Sequence, residues 1–256
     1  MSEQEAPVGK YMYCIVRCSE SRQFETPGIG ERGDVVYTVP FGDLAAVVSD
    51  SPVIEYESNR RNMMAHTSVI EEVMREHAVL PIRFGTVASS SEAIQEKVLK
   101  RRGQEINDLL HRVEGRKELG LKTFWQRDTT FQEIVEENPA IRGFRDRLVG
   151  VPPQKSYYDR AHLGEMVQTA LLKKCDADSE GILARLCPLA CEHKSNPTAT
   201  ERMLLNAAFL VDKTREPEFN QAILQLDKEM GSRLTFKYVD QVPPYNFVHI
   251  AINWNE

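Results

Sequence analysis

Apolar and polar positions alternate near the start of the chain in a way that predicts a β-sheet. The run "YMYCIVRC", residues 11–18, is apolar on both faces, which is typical of a central strand. Two β-rich runs, "DVVYTV" and "LAAVVS", follow it, and "PFGD" at 40–43 separates them. A short connection that contains proline and glycine between two such runs predicts a hairpin. The chain is therefore expected to begin with a central strand and a hairpin.

A helical period replaces this alternation after the hairpin. Between residues 58 and 77, apolar side chains recur at helical spacing and His66 falls on the same stripe, whose apolar members are Met63, Ile70, Val73 and Met74. The next run, "AVLPIRFGTV" at 78–87, predicts a strand. Because Pro81 cannot donate a hydrogen bond, this strand is expected at a sheet edge, or Pro81 at a strand start.

A second helix and a returning strand complete the first half. Ser89 and Glu92 have the spacing of a capping box, which predicts a helix that runs to about Val113 and buries Ile94, Val98, Ile106, Leu109 and Leu110. "ELGLKTFW" at 118–125 then alternates like a strand. The order strand, hairpin, helix, strand, helix, strand is typical of an α+β sandwich of the ferredoxin-like kind, with its helices on one face.

The second half is predicted to combine long helices with a few strands. One helix is expected over about 129–147, and a long amphipathic helix follows the prolines of "VGVPPQKSYYD" and continues to about Cys191, with a bend near Gly181. "RMLLNAAFLV" at 202–211 resembles a buried strand. Pro217 and Gly231 bracket a further helix. "RLTFKYV" and "YNFVHIAINW", on either side of "DQVPP", predict two last strands.

The double proline at 152–153 is the predicted domain boundary. At 256 residues the chain exceeds the usual size of one domain, so two are expected. Residues 1–150 are predicted to form an N-terminal ferredoxin-like α+β domain. Residues 151–256 are predicted to form a C-terminal α+β domain with a long helix and a small antiparallel sheet.

Composition and charge exclude several classes of protein. The chain is 41% hydrophobic and 27% charged, as folded globular proteins are. Its formal net charge of -6 argues against binding nucleic acid by neutralising phosphates. No apolar run is long enough to span a lipid membrane, and the start has no secretory signal, so a cytoplasmic location is expected. Five cysteines, an odd number, favour reduced thiols over a disulfide framework.

Few residue patterns point to chemistry. Arg83 and Gly85, within "EHAVLPIRFGTVASSSE", invite a phosphate site, but the glycine spacing of known phosphate loops is missing, so a structural strand is favoured. Cys187 and Cys191 with His193 provide three of the four ligands that zinc requires, and a pair of free thiols is the favoured interpretation. We therefore expect no metal and no cofactor.

Two interpretations of His66 stay open. A histidine on an apolar stripe is most often a hydrogen-bonded core or interface residue, but it can also serve an enzyme that binds a small ligand together with nearby carboxylates. The other unusual residues are apolar: Met63, Met64 and Met74 on one helix, and Tyr245, Phe247 and His249 alternating in the predicted last strand. Methionine is common on surfaces that accept hydrophobic partners, although such stripes more often fill an ordinary core.

Four stretches of the chain carry a resemblance to a known family. In order they are "YMYCIV", "HTSVIEEVMREHAVLPIRFGTV", "LLNAAFLVDKTREPEFNQAI" and "VPPYNFVHI", which together extend from about residue 10 to 252. As an ordered set they resemble the gas vesicle protein F/L family (GvpF/GvpL). The resemblance implies a modified ferredoxin-like N-terminal domain and a C-terminal α+β domain. It also implies an accessory or minor structural protein of gas vesicle assembly, and no enzymatic activity.

The partner that the resemblance implies is the small hydrophobic shell protein GvpA, whose premature aggregation such an accessory protein limits. Other accessory gas vesicle proteins are further partners, and no nucleic acid or lipid membrane is expected. We take Met63, His66 and Arg83, with Tyr245 and Phe247, as the hypothetical contact residues. The location that follows is the cytoplasm and the gas vesicle.

Overall fold

Two antiparallel sheets, each with its own helices, make up the fold. The computed structural model describes residues 7–250, 252 and 254. The chain divides into two compact units, of which the first comprises the chain up to Glu118 together with the part from Gln241 onward, and the second is Leu119–Asp240. The predicted mixture of helices and antiparallel strands is confirmed.

The sheet of the first unit is built around the apolar run that the sequence marks as central. Its strands begin with β1 (Val8–Arg17), β2 (Gln23–Phe24), β3 (Val36–Phe41) and β4 (Leu44–Pro52). β3 and β4 pair as the predicted hairpin, whose turn contains Gly42 at φ +64°. β1 pairs with β4 along its whole length, and its residues 11–16 are fully buried because both faces of the sheet are covered.

Helix α1 (Arg60–Met74) follows the hairpin, as the apolar period predicts. The side chain of Asn59 caps its first turn by accepting a hydrogen bond from the Asn62 amide. The buried stripe is His66, Val69, Ile70 and Val73. Met63, which was predicted to belong to that stripe, is 41% exposed.

The predicted strand at 78–87 is divided into two short strands, β5 (Val79–Pro81) and β6 (Val87–Ala88). Both pair with β1 on the side opposite β4. The residues between them leave the ladder through a turn in which Gly85 adopts φ +82°. Pro81 therefore lies in an edge strand, as its missing amide hydrogen predicts.

The helix predicted to run from the capping box to Val113 is interrupted. Ser90, not Ser89, accepts the capping hydrogen bond, from the Ala93 amide. The helical residues are α2 (Ser91–Ile94), a π-helical segment (Gln95–Lys100) and α3 (Gly103–Val113). Val98 and Leu99, both in the π-helical segment, are buried. Leu109, predicted to be buried, is only half-buried.

Strand β7 (Arg116–Trp125) forms where it was predicted but joins the other sheet. We expected it to belong to the N-terminal sandwich, and that expectation was wrong, because it pairs in the sheet of the second unit. Both sides of β1 are already occupied, by β4 on one side and by β5 and β6 on the other. Leu119, Leu121 and Trp125 instead pack into the core of the second unit.

The second unit continues the chain with helices before its remaining strands. The helices are α4 (Arg127–Glu137), α5 (Pro139–Arg147) and α6 (Tyr157–Leu186), with 3-10 turns at Pro153–Lys155 and Cys187–Leu189. The single helix expected over 129–147 breaks because Asn138 is extended before Pro139. Strand β8 (Glu192–Ser195) was not predicted, because its sequence "EHKS" is polar and largely exposed.

The last elements complete the second sheet. They are β9 (Met203–Asp212), α7 (Glu216–Met230) and β10 (Leu234–Val242), all of which were predicted, and the strand order is β10-β7-β9-β8. The strand predicted for "YNFVHIAINW" is wrong over its described part: 245–247 form a turn and 248–250 are irregular. Pro244 accepts hydrogen bonds from the Phe247 and Val248 amides, so the chain curls here.

The domain bounds predicted from the sequence, 1–150 and 151–256, stay a prediction. The compact units are divided elsewhere, because β7 joins the second sheet and the last residues belong to the first unit. Among the residues with described coordinates, no helix is long and apolar enough to cross a membrane.

The close approach of β1 to β6 and to the residue after β4 predicts that Gly9 tolerates no side chain. A methyl group there would overlap the Ala88 carbonyl oxygen and lie 2.7 Å from Val53 Cγ2. We expect Gly9→Ala to lower the free energy of unfolding by about 1–3 kcal/mol, as overpacking does. Gly103→Ala is the matched control, since no atom lies within 4 Å of its added Cβ. Urea unfolding of both variants measures the difference, and equal stabilities would contradict the expectation.

Candidate functional site

The histidine of α1 is enclosed by aromatic rings in the first unit. His66 is 1% exposed. The ring centroids of Tyr11 and Tyr13 both lie 5.7 Å from its own, and that of Phe84 lies at 5.6 Å. Tyr11 also contacts Tyr56 edge-on, at 5.3 Å. We call these residues, with Tyr245, the aromatic cluster. The sequence indicated His66 and Tyr245, but the rings that enclose the histidine were found only from the structure.

A chain of hydrogen bonds passes through His66. The Gly85 amide donates to the Tyr11 hydroxyl oxygen at 3.0 Å, and that hydroxyl lies 3.0 Å from His66 Nδ1. Because the Tyr11 oxygen already accepts from Gly85, its own proton is free for Nδ1. The imidazole proton is then on Nε2, which lies 3.1 Å from the Tyr245 hydroxyl. One neutral tautomer thus satisfies all three side chains.

Burial keeps every member of this chain uncharged. It lowers the pKa of His66 to about 4, against a small opposing effect of the Ile82 backbone. Burial also raises the pKa of the Tyr11 and Tyr245 hydroxyls well above the usual value for tyrosine. Among the described residues, the side chains that hydrogen-bond to this neutral, enclosed histidine are two phenols, whereas the enzyme interpretation calls for carboxylates.

The C-terminal segment is fixed to the first unit beside His66. Glu118 is 3% exposed, and its carboxylate accepts hydrogen bonds from the Asn246 backbone amide at 3.1 Å and from its side-chain amide at 2.6 Å. Phe247, Val248 and Ile250 are buried. Tyr245 as a residue is 43% exposed, whereas its hydroxyl is within hydrogen-bonding distance of His66. The segment therefore exposes part of Tyr245 to solvent, while its buried neighbours and the Glu118 hydrogen bonds hold it in place.

The structure brings four of the five predicted contact residues together. Met63 is one helical turn before His66 and is 41% exposed, and Arg83 is exposed in the turn that carries Phe84 to the His66 ring. Tyr245 contacts the same histidine. Phe247 is 7% exposed, so it lines the core and does not share an exposed strand face with Tyr245 and His249 as predicted. His66 and Phe247 can thus act only by supporting exposed neighbours.

The other candidate sites receive no support from the geometry. The Gly85 amide, which a phosphate site would use, is bonded to Tyr11, and the Ala93 amide at the following helix is bonded to Ser90. Across the described residues, no three His, Cys, Asp or Glu side chains are grouped to hold a metal. Cys187 is half-buried and Cys191 is exposed, both as free thiols.

One cleft of about 270 Å³ opens between β2 and the end of α1. Three of its charged side chains already have partners: Arg22 Nη2 lies 2.7 Å from Glu76 Oε2, and Glu72 accepts hydrogen bonds from the Glu25 and Thr26 amides at 2.9 and 2.8 Å. These contacts attach the β2 segment to α1, which explains the cleft without a ligand.

Comparison with known proteins is consistent with this architecture. The family model described as "Gas vesicle synthesis protein GvpL/GvpF" matches residues 9–249. Gas vesicle protein F of a Streptomyces strain is 30% identical over 93% of this chain and 98% of its own, and that of Dolichospermum flosaquae is 26% identical over 94% and 97%. The crystal structure of GvpF from Anabaena sp. PCC7120 superposes with a TM-score of 0.81 at 26% identity, covering 95% of this chain and 99% of that one.

The buried histidine predicts a specific dependence of stability on pH. The unfolded chain protonates His66 near its ordinary pKa of 6.5, whereas the folded protein resists protonation down to about pH 4. The titration of His66 therefore leaves the free energy of unfolding unchanged above about pH 6.5. As the pH falls from there towards 4, it lowers the free energy of unfolding by about 3 kcal/mol in total. Urea unfolding at a series of pH values in this window measures the loss.

His66→Gln removes this titration, so the variant should lose less stability than the parent protein between pH 7 and pH 5. The absolute stability of the variant does not matter, because only the slope is compared. His162→Gln, at a side chain that is 60% exposed, is the control and should keep the parental slope. If the free energy of unfolding of the His66→Gln variant depends on pH as steeply as that of the parent protein, His66 is not the group that causes the loss.

Proposed function

Because the chain belongs to the GvpL/GvpF family of gas vesicle synthesis proteins, we propose that it is an accessory or minor structural protein that binds the hydrophobic shell protein GvpA. In this proposal it limits aggregation of the shell protein while vesicles nucleate or grow. It acts by covering apolar surface on that protein and catalyses no reaction. Its place of action is the gas vesicle and the cytoplasm in which the vesicle is assembled, and other accessory gas vesicle proteins are further partners.

We further infer that the two compact units correspond to two domains. The first resembles a modified ferredoxin-like sandwich, since its antiparallel sheet is accompanied by α1 and by the helical stretch that begins with α2. The second is an α+β domain with the 30-residue helix α6 and a four-stranded sheet. In this proposal the contact with the shell protein lies in the first unit, because the proposed contact residues belong to it.

One observation carries the binding proposal: apolar side chains are exposed around an enclosed and rigid aromatic cluster. Met63 and Tyr245 are 41% and 43% exposed, although both adjoin the fully buried His66. Met64, the next residue of α1, is 56% exposed. We call Met63, Met64, Arg83 and Tyr245 the contact face. Methionine adapts its shape at little cost, and tyrosine provides a large contact area with few rotatable bonds.

The aromatic cluster supports binding by holding this face in place before the partner arrives. Tyr245 is tethered through its hydroxyl to His66, and Phe84 places the Arg83 turn against the same ring. A preorganised face loses little conformational entropy on binding, so more of the hydrophobic free energy is retained as affinity. That free energy is about 25 cal/mol for each Å² of apolar surface removed from water. His66 and Phe247 contribute through support and not through direct contact.

Substitution of Met63 by a charged residue should weaken binding of the shell protein. Met63→Glu introduces a charge that must be desolvated in an apolar interface, and we expect co-purification of GvpA to fall by about tenfold or more. Leu224→Glu is the matched control, because Leu224 is an exposed apolar helix residue, 64% exposed, in the second unit. Both positions are exposed, so both variants should keep the parental thermal unfolding curve.

Salt separates the hydrophobic mechanism from an electrostatic one. Complexes of the parent protein with GvpA should persist when NaCl is raised from about 0.1 M to about 1 M, because screening weakens only charge pairs. Dissociation at the higher salt concentration, or equal binding by the Met63 and Leu224 variants, would overturn the proposed contact face.

A further inference from the structure

At the junction of α5 and α6, the second unit carries several aromatic side chains, and the charged group of an arginine lies over one of them. Tyr157 and Tyr158 are 70% and 85% exposed and contact each other edge-on, with ring centroids 5.5 Å apart. Tyr158 is one helical turn before His162, whose ring lies 5.5 Å from that of Phe144. The Arg147 guanidinium lies over the Phe144 ring at 4.8 Å. We call these five residues the aromatic row.

The connection between the two helices is built to hold this row. Ser156 is 1% exposed, and its hydroxyl donates to the Pro152 carbonyl at 3.0 Å and accepts from Arg160 Nε at 2.9 Å. Arg160 Nη2 also donates to the Val151 carbonyl at 3.2 Å. Pro152 and Pro153 restrict the backbone further. The two tyrosines are therefore presented by a fixed turn, although they gain almost no burial within the fold.

The charge around the row is opposite to that of the whole protein. Residues 142–160 contain five arginines or lysines and two aspartates, whereas the chain has a formal net charge of -6. Arg145 is paired with Asp146 at 2.6 Å. Lys155 and Arg147 are exposed and have no carboxylate partner among the described residues. A local surplus of cations beside exposed rings is complementary to an acidic sequence that also contains apolar side chains.

We propose that the aromatic row and the adjoining Lys155 form a docking site for an acidic segment of a partner polypeptide with interspersed apolar residues. The rings receive the apolar side chains, while Arg147 and Lys155 pair with the carboxylates. Tyrosine and arginine dominate the energetics of protein interfaces, because they combine a large apolar surface with directed hydrogen bonds. This site lies in the second unit and does not depend on the contact face proposed for GvpA.

Model peptides test the charge pairs and the apolar contacts of the proposed site separately. The probe is a fluorescein-labelled peptide of about 15 residues in which glutamate and leucine alternate, a length that extended recognition segments commonly have. Two comparison peptides replace every glutamate by lysine or every leucine by serine. We expect fluorescence anisotropy to detect binding of the glutamate–leucine peptide only, and the affinity to fall as NaCl rises, because the charge pairs are screened.

Variants of the full chain locate the site. Tyr157→Ser/Tyr158→Ser and, separately, Arg147→Glu should each weaken binding of the glutamate–leucine peptide by about tenfold or more. Leu224→Ser and Lys213→Glu are the matched controls, since both change exposed residues outside the row, and they should bind like the parent. All five substituted positions are exposed, so the circular dichroism spectrum and the thermal unfolding curve of each variant should match those of the parent protein.

Three results would overturn the proposal. The first is equal binding of the serine-substituted peptide, which would mean that charge alone is recognised. The second is equal weakening by the control variants. The third is sedimentation evidence that the parent chain forms a dimer that the double tyrosine substitution dissociates, because the occupant of the row would then be a second copy of this chain.

Discussion

The first unit depends on the buried hydroxyl group of Tyr11. This side chain belongs to a strand that is covered on both faces, so its polar atom has no access to water and must find partners within the protein. It finds them in the Gly85 amide and in His66 Nδ1. These two bonds join the central strand to the turn between β5 and β6 and to α1. Through His66 Nε2 they also reach the C-terminal segment, so four separate parts of the sequence are fixed relative to one ring.

This requirement explains features that do not follow from hydrophobic burial alone. The turn between β5 and β6 leaves the sheet ladder, and its left-handed glycine directs an amide at the Tyr11 oxygen. The histidine is retained in an apolar stripe although burial strongly opposes its charged form. An apolar residue at this position would pack well, but the Tyr11 hydroxyl would keep only the Gly85 amide as a partner and would lose the acceptor of its own proton, and the Tyr245 hydroxyl would lose its bond to the imidazole.

Sequence reasoning succeeded wherever one local pattern decided the structure. The hairpin, α1, α7 and β9 formed as predicted, because apolar period and turn residues agreed at each of them. It failed where long-range pairing decided: β7 was predicted correctly as a strand but assigned to the wrong sheet, since sheet membership depends on which edges other strands have already filled. The alternation of Tyr245, Phe247 and His249 predicted a strand, but the amides after Pro244 bond back to it and form a turn. For the candidate site, the sequence indicated Met63, His66, Arg83 and Tyr245, while the enclosing rings of Tyr13, Tyr56 and Phe84 could be assigned only from their packing.

The two ends of the described chain belong to the same compact unit, and this has a consequence for biosynthesis. The N-terminus of a nascent chain leaves the ribosome first, and N-terminal domains generally fold before C-terminal ones. Here the strand that contains Tyr11 is translated before the second unit, but Tyr245 and Asn246, which close the first unit beside α1 and Glu118, are translated after it. Leu119–Asp240 is therefore entirely outside the exit tunnel before the unit that precedes it can be completed. The first unit is therefore completed only after the second has been translated, and a product truncated before Tyr245 would lack the closing segment.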